Sequence, residues 1–197
     1  MKKILSILFA FSLISLAVFA KGEEKTTDQA AEAPKPVLKG KSFVLDTFEA
    51  GNYWDAVRKT RRDGDLSIDA CLDNSWKSEG TYSLKCTFKK GEAEDSKSGF
   101  LTSSPIQPNL LGAKKIIFDV NNTNDYALTF SVVFITGAKW DVTNQSETVT
   151  CEPGVHQIEF TISEFQNLEK VNQIILYVNG ITETSGSFNI DNCRLSL

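Results

Sequence analysis

The chain has 197 residues, with 21 Lys or Arg, 25 Asp or Glu and a formal net charge of −4. An acidic surface repels nucleic acid and anionic lipid, so neither is an expected partner. The single histidine, His156, excludes metal centres built from several histidines and disfavours zinc chemistry. The chain contains no GxSxG, P-loop or GxGxxG pattern that would indicate a known class of enzyme.

The first twenty residues have the pattern of a secretory signal peptide. Lys2 and Lys3 precede an apolar run over residues 4–16, and small residues follow up to Ala20. The run is shorter than the ~20 residues that span a bilayer, which disfavours an uncleaved anchor. We expect cleavage after Ala20 and a mature protein without a membrane span. Such a protein is secreted, periplasmic or exposed at the cell surface.

Residues 21–41 predict a flexible tether. The segment has no aromatic residue, and Val37 and Leu38 are its only large apolar ones. It cannot bury enough apolar surface to offset the entropy lost on ordering. Pro34 and Pro36 are expected to stiffen its end.

Residues 42–197 have a normal size for one domain with one core. The domain holds four cysteines, Cys71, Cys86, Cys151 and Cys193, and the last three stand where a strand would carry an inward apolar residue. Export permits disulfides, and four cysteines allow three pairings. Buried free thiols are the alternative, and the sequence leaves the choice open.

The domain reads as β-structure almost throughout, in short segments rich in Val, Ile, Phe and Thr and separated by Gly, Asn, Asp and Pro. Alternation is clear in KIIFDVN, where Ile116, Phe118 and Val120 share one face. The predicted strands are residues 43–48, 66–72, 82–89, 99–101, 114–121, 127–136, 147–151, 156–162, 173–178 and 187–195.

Two connections carry signals of their own. Pro153-Gly154 predicts a hairpin turn between residues 151 and 156. Residues 163–173 predict one short helix, because Phe165, Leu168 and Val171 recur at a spacing of three. The fold class is therefore all-β: a two-sheet antiparallel β-sandwich, or jelly roll, with one short helix. The first and last strands are expected to meet in one sheet.

The order of seven motifs carries a family resemblance. They are DTFEAGNYW, SEGTYSLKCTF, LLGAKKIIFDVNN, LTFSVVF, ETVTCEPGVHQIEFTI, LEKVNQIILYV and FNIDNCRL. Together they resemble the β-jelly-roll carbohydrate-binding modules of bacterial glycan-degrading systems, within the galactose-binding-like fold, over nearly all of residues 42–197. One departure is that Val155 and His156 stand where such modules often carry an aromatic residue. The same fold also serves adhesion, envelope and scaffold proteins.

The resemblance implies a structural calcium ion where the first strand, the loop before GTYS and the last strand converge. The matching residues are Glu49, Glu79 and Asp191. Oxygen ligands of this kind are what calcium requires, and three acidic residues brought together would otherwise repel one another. The alternative is that Glu49 and Asp191 only accept backbone hydrogen bonds at strand ends.

The resemblance also implies glycan binding on a concave sheet, where aromatic rings stack on sugar rings and polar side chains bind hydroxyl groups. For either tryptophan the alternative is packing at an open end of the sandwich. The candidate ligand-binding residues are Trp54, Asp119, Asn121, Trp140, Tyr177 and Asn179.

The sequence thus predicts an exported, non-catalytic β-sandwich that binds a polysaccharide or surface glycan. The alternative is a structural or interaction protein of the cell envelope, with envelope proteins as partners. A third hypothesis is a small glycoside hydrolase that uses Asp119 and Glu159 as its two carboxylates. A Cys151–His156 nucleophile is disfavoured, because no third group orients the histidine.

Overall fold

The computed structural model describes residues 42–49, 54–57, 68–88, 97–102, 109–179 and 185–197. The chain divides into two units, Met1–Ala33 and Pro34–Leu197, and every described residue belongs to the second. The predicted signal peptide and tether lie outside the described residues. Within these ranges, no helix is long and apolar enough to cross a membrane.

Antiparallel β-structure dominates the described part of the chain. All ten predicted strands are present, with ends that differ by no more than two residues, whereas β2 and β8 were not predicted. The strands are β1 (Ser42–Asp46), β2 (Trp54–Val57), β3 (Ile68–Asp73), β4 (Ser83–Phe88), β5 (Lys97–Thr102), β6 (Lys115–Asn122), β7 (Leu128–Thr136), β8 (Val142–Gln145), β9 (Val149–Cys151), β10 (Gly154–Thr161), β11 (Val171–Asn179) and β12 (Gly186–Ser196).

The strands form two sheets, which confirms the predicted sandwich. Sheet A has the order β10-β6-β12-β4-β3, with β1 also paired to β12. Sheet B has the order β2-β5-β11-β7-β8, with β9 also paired to β7. Phe43 of β1 pairs with Leu195 of β12, so the first and last strands meet in one sheet as predicted.

The core lies where the inward faces of the two sheets meet. Phe118, Phe130 and Phe160 are all buried in one cluster, as the alternation predicts. The Phe118 and Phe160 ring centroids are 6.3 Å apart, and Phe130 meets Phe188 of sheet A edge-on at 5.1 Å. These rings join the sheets through apolar burial, which contributes most of the favourable free energy of folding.

The predicted helix over residues 163–173 is wrong. Only a single 3₁₀ turn, Leu168–Lys170, is present, and β11 begins at Val171. Asn167 has a left-handed backbone with φ 57°, which interrupts a right-handed helix. The spacing of apolar residues serves packing instead: Leu168 is buried, and Phe165 meets Phe134 edge-on at 5.3 Å.

The predicted hairpin at Pro153-Gly154 is also wrong. The strand before it, β9, pairs with β7 in sheet B, and the strand after it, β10, pairs with β6 in sheet A. The turn therefore carries the chain from one sheet to the other. Gly154 has φ 100°, a conformation that residues with a Cβ rarely adopt.

The four cysteines are all free thiols. Cys86, Cys151 and Cys193 are buried at inward strand positions, as the alternation predicts, and Cys71 is exposed. Burial raises the pKa of the Cys151 thiol to about 11 and raises those of Cys86 and Cys193 well above the usual value. The buried thiols therefore stay protonated and act as small apolar side chains.

Candidate ligand-binding face

The outward face of sheet A carries a polar network in which the charged groups bind one another. Asp119 accepts hydrogen bonds from the Arg194 guanidinium at 2.9 Å, the Ser78 hydroxyl at 2.8 Å and Asn192 Nδ2 at 3.1 Å. Arg194 also donates to Gln157 Oε1 at 2.5 Å. Groups satisfied in this way have little left to offer a ligand.

The amide of Asn189, also on β12, is engaged in hydrogen bonds of its own. Asn189 Nδ2 donates to Asp73 Oδ2 and to Ser83 Oγ, each at 3.0 Å. The candidate residue Asn121 pairs with Asn189 across β6 and β12, so it lies on this face together with Asp119.

Two carboxylates hold the loop between β3 and β4. Glu49 Oε1 accepts the backbone N–H groups of Thr81 at 2.7 Å and Tyr82 at 2.8 Å. The hydrogen bonds from Tyr82 and Thr81 hold the pKa of Glu49 below its usual value. Asp191 Oδ2 accepts the N–H groups of Ser78 at 2.8 Å and Glu79 at 3.1 Å, and Asp191 is fully buried.

The first strand, this loop and the last strand therefore converge as the resemblance implies. The predicted ligands fit calcium only in part, because the carboxylates of Glu49 and Asp191 already accept N–H groups. Glu79 contributes its backbone N–H to Asp191. Among the described residues, no group of three or more His, Cys, Asp or Glu side chains is placed to hold a metal ion. The calcium ion stays a prediction of the resemblance.

The two carboxylates of the hydrolase hypothesis are each paired with a cation. Glu159 Oε2 lies 2.6 Å from Lys115 Nζ, and Asp119 lies 2.9 Å from Arg194. The hydrogen bond from Lys115 lowers the pKa of Glu159. A general acid in glycoside hydrolysis needs a raised pKa, so this pair is poorly suited to the chemistry.

The outward face of sheet B is different in character, and we call it the Tyr177 face. It comprises Ser131 and Val133 of β7 together with Ile175, Tyr177 and Asn179 of β11. These side chains alternate with core residues and therefore point away from the core. Even so, Ser131, Val133 and Ile175 are only 0%, 6% and 5% exposed. These three outward side chains are therefore shielded from solvent.

Tyr177 stands at the centre of this face, between two of the smallest residues. The register pairs it with Ser131 on β7 and with Gly99 on β5. Burial raises the pKa of its hydroxyl, which therefore stays protonated at neutral pH. Small neighbours on both flanks of a ring leave room for a second ring beside it.

Asn179 supplies a polar group next to that ring. Its Nδ2 donates to Ser131 Oγ at 3.1 Å. Its Oδ1 is buried and has no hydrogen-bond partner. A buried acceptor without a donor costs about 1–3 kcal/mol, so this oxygen is a favourable partner for any hydroxyl group that is brought within reach.

The structure separates the six predicted ligand-binding residues. Asp119 and Asn121 lie on the outward face of sheet A, whereas Tyr177 and Asn179 lie on the outward face of sheet B. One glycan cannot contact both faces. Trp140 lies in the turn between β7 and β8, at one end of the sandwich, and is 49% exposed.

The prediction that Trp54 binds a ligand is wrong. Trp54 begins β2 and is fully buried, with its ring centroid 5.9 Å from that of Phe118. Its Nε1 donates to Asp46 Oδ2 at 3.1 Å. The packing role, which was the alternative for each tryptophan, is the one that Trp54 fulfils.

Sequence reasoning missed Ser131 as part of the face. Its alternation with Phe130 and Val132 marked it as outward, but a serine in an apolar strand carries no signal for binding. Only the pairing of β7 with β11 shows that it lies beside Tyr177.

No protein-family model matches the chain, and no curated protein matches its sequence. Solved structures match in fold. The family 11 carbohydrate-binding module from Clostridium thermocellum, in complex with a β-1,3-1,4-mixed-linked tetrasaccharide, is 15% identical, with a TM-score of 0.59 over 81% of this chain and 97% of that one. The fold is that of β-jelly-roll carbohydrate-binding modules.

Two further modules have the same fold. A family 27 module of Caldicellulosiruptor saccharolyticus in complex with mannohexaose is 12% identical, with a TM-score of 0.57 over 80% of this chain and 98% of that one. A family 28 module specific for non-crystalline cellulose is 16% identical, with a TM-score of 0.53 over 80% and 96%. At such low identity the likeness concerns the fold.

Proposed function

We propose that this protein is an exported, non-catalytic carbohydrate-binding module that binds a polysaccharide chain on the Tyr177 face. The β-jelly-roll fold supports carbohydrate binding, since the matching structures are carbohydrate-binding modules. The signal-peptide pattern of the first twenty residues supports export. The choice of the Tyr177 face follows from a comparison of the side chains on the outward faces of sheets A and B.

The observation that carries the proposal is the Tyr177 ring, which has small residues on both flanks and the Asn179 amide oxygen two residues along on the same face. A sugar presents an apolar ring face, which stacks on an aromatic ring, and hydroxyl groups, which donate to such an oxygen. On sheet A the Asp119 carboxylate is already bound by Arg194 and Asn192, although Asn192 Oδ1 is itself buried without a partner. We therefore assign the glycan to sheet B, and we identify this surface with the concave sheet that the resemblance implies.

The ligand class follows from the matching modules, whose ligands are mixed-linked glucan, mannohexaose and non-crystalline cellulose. We propose a chain of pyranose units of this kind. Candidate probes are mixed-linked β-glucan, mannan and non-crystalline cellulose. The test is affinity electrophoresis of the mature domain in gels that contain each polysaccharide.

We expect retardation in at least one gel and roughly tenfold weaker binding for Tyr177→Ala, which corresponds to about 1.4 kcal/mol. Tyr82→Ala is the matched control, because Tyr82 is an exposed tyrosine that lies in the loop before β4 of sheet A. Equal loss in both variants would overturn the choice of face. No retardation with any probe would overturn glycan binding and favour the envelope interaction protein, which is expected to self-associate in ultracentrifugation.

Non-catalytic function is part of the same proposal. Asp119 and Glu159 are both ion-paired, and the lowered pKa of Glu159 disfavours its use as a general acid. We expect no release of reducing sugar from a polysaccharide that binds. Release that disappears in Glu159→Gln would show a hydrolase instead.

The calcium prediction has a direct test. If calcium binds where Glu49 and Asp191 meet the loop, a millimolar excess will raise the melting temperature, because a ligand that binds only the folded state stabilises it. Magnesium at the same concentration is the control, since it prefers smaller octahedral sites. A melting temperature that is the same in calcium and in chelator would exclude the ion.

A further inference from the structure

One end of the sandwich carries a second group of side chains suited to sugar, separate from the Tyr177 face. Trp140 is 49% exposed, and its backbone is left-handed with φ 61°. A left-handed conformation costs a residue with a Cβ about 1–3 kcal/mol and persists only where the surroundings impose it. The backbone at this exposed tryptophan is therefore imposed by its surroundings.

Two polar side chains lie close to Gly137, in the turn that contains this tryptophan. The position that a Cβ of Gly137 would occupy lies 2.7 Å from Asp141 Oδ1 and 3.7 Å from Asn167 Nδ2. Both side chains are exposed, and neither makes a side-chain hydrogen bond among the described residues. The turn closes with the Trp140 N–H donating to Gly137 O at 3.4 Å. A carboxylate and an amide therefore lie close to Gly137, and the exposed Trp140 belongs to the same turn.

Buried hydrogen bonds fix the two loops that carry these groups. The Gly137 N–H donates to Lys170 O at 3.0 Å, and the buried Asn172 donates from Nδ2 to Gly137 O at 2.7 Å. Asn144 of β8 holds the other loop by donating to Gln166 O at 3.1 Å and accepting the Gln166 N–H at 2.8 Å. The backbone of both loops is thus fixed, which reduces the entropic cost of binding.

This end is distant from Tyr177. Tyr177 pairs with Ser131, whereas the turn begins after Thr136, five residues further along β7. At about 3.3 Å per residue this separation is roughly 17 Å. A single sugar unit cannot contact both places.

We propose that Trp140, Asp141 and Asn167 form a second saccharide-binding site, the end site, which takes a pyranose unit of the polysaccharide bound by the Tyr177 face. The indole stacks on the apolar face of the sugar ring, Asp141 accepts from hydroxyl groups, and the Asn167 amide donates to one. The inference rests on the proposed function for the class of ligand. The residues and the place of this site are independent of the Tyr177 face.

The test compares single variants in affinity gels that contain mixed-linked β-glucan, mannan or non-crystalline cellulose. Trp140→Ala and Asp141→Ala remove the indole and the carboxylate, and Asn167→Gly removes the amide while keeping the left-handed backbone accessible. We expect each to weaken binding roughly five- to tenfold on the polysaccharide that retards the wild type. Tyr82→Ala is again the control.

The outcomes separate this proposal from the previous one. If Tyr177→Ala weakens binding and the three end variants do not, the end site is wrong and the Tyr177 face stands. If the end variants weaken binding and Tyr177→Ala does not, the end site stands alone. Weakening by both supports two sites. A wild-type protein that no polysaccharide retards overturns both proposals.

Discussion

At the scale of single residues, Trp54 and Trp140 show how one residue type has two different roles in this fold. Both follow a predicted strand, and both were candidates for stacking on sugar. Trp54 is fully buried and hydrogen-bonds Asp46, whereas Trp140 is 49% exposed at the end of sheet B. Burial, which the local sequence does not show, decides between the roles.

Replacing each tryptophan by alanine tests this difference. Trp54→Ala opens a cavity in the core and is expected to lower the free energy of unfolding by about 3–5 kcal/mol. Trp140→Ala removes an exposed ring and is expected to change it by less than about 0.5 kcal/mol. Urea denaturation followed by circular dichroism measures both. Equal losses would contradict the placement of Trp54 in the core.

The lowered pKa of Glu49 predicts how the stability of the fold depends on pH. Its pKa is held below the usual value of 4.5 by the N–H groups of Tyr82 and Thr81. A carboxylate with a lowered pKa stabilises the fold above its usual pKa, and that stabilisation is lost as the pH falls through the folded-state pKa. Asp46 acts in the opposite direction, because burial raises its pKa and deprotonation then costs stability.

We therefore expect Glu49→Gln to be less stable than the wild type at pH 7, and the difference to shrink as the pH falls below 4.5. Denaturant titrations of both proteins at several pH values, with chelator present throughout, measure this difference. A difference that stays constant with pH would show that ionised Glu49 does not hold the loop.

At the scale of elements, the two connections that sequence reasoning misassigned are held by contacts between distant segments. The segment predicted as a helix lies against β7 and β8 through Asn144, which binds Thr136 Oγ1 at 3.1 Å and the backbone of Gln166. Such contacts override the weak local helical signal. The connection at Pro153-Gly154, predicted as a hairpin, is a crossover between sheets, because β9 pairs with β7 and β10 pairs with β6.

Removing the Asn144 amide tests its role. Asn144→Ala leaves the Gln166 N–H without its acceptor, and such a loss costs about 1–3 kcal/mol in a buried setting. Hydrogen exchange should become faster at Gln166 and remain slow at Phe118 in the core. Unchanged exchange at Gln166 would show that the loop is held by other contacts.

At the scale of the whole molecule, the reactivity of the cysteine thiols tests whether the sandwich contains a disulfide. All four cysteines are free, and only Cys71 is exposed. A thiol reagent should therefore modify one cysteine quickly in the native protein and all four after unfolding without reductant. Fewer than four in the unfolded protein would reveal a disulfide, which export permits.

The two outward faces also belong to this scale, because they exist only once the sheets are assembled. Sheet A places Asp119 beside Arg194, so its charges are satisfied internally. Sheet B places Tyr177 between Gly99 and Ser131, beside the unpartnered Oδ1 of Asn179. Sheet A also holds a buried oxygen without a partner, Asn192 Oδ1. Our reason for choosing sheet B is therefore its tyrosine ring between small residues, together with the ion-paired charges of sheet A.

The sequence by itself determined ten of the described strands, though not β2 and β8, and the core-facing side chains of those with clear alternation. A period of two in apolar residues is a local property, so Phe118, Phe130 and Phe160 were identifiable before any pairing was known. The pairing of the first and last strands was also predicted correctly. The motif order further indicated the β-jelly-roll fold of carbohydrate-binding modules.

Only the tertiary structure decided which strands share a sheet, and with that which polar residues can meet. Asp119 and Tyr177 have the same local signature, an outward residue in an apolar strand, yet they lie on opposite sides of the molecule. Strand pairing joins residues that are far apart in sequence, and alternation within one strand carries no information about its neighbour. The physical reason is that a binding face depends on register between strands, whereas a core face depends on burial along one strand.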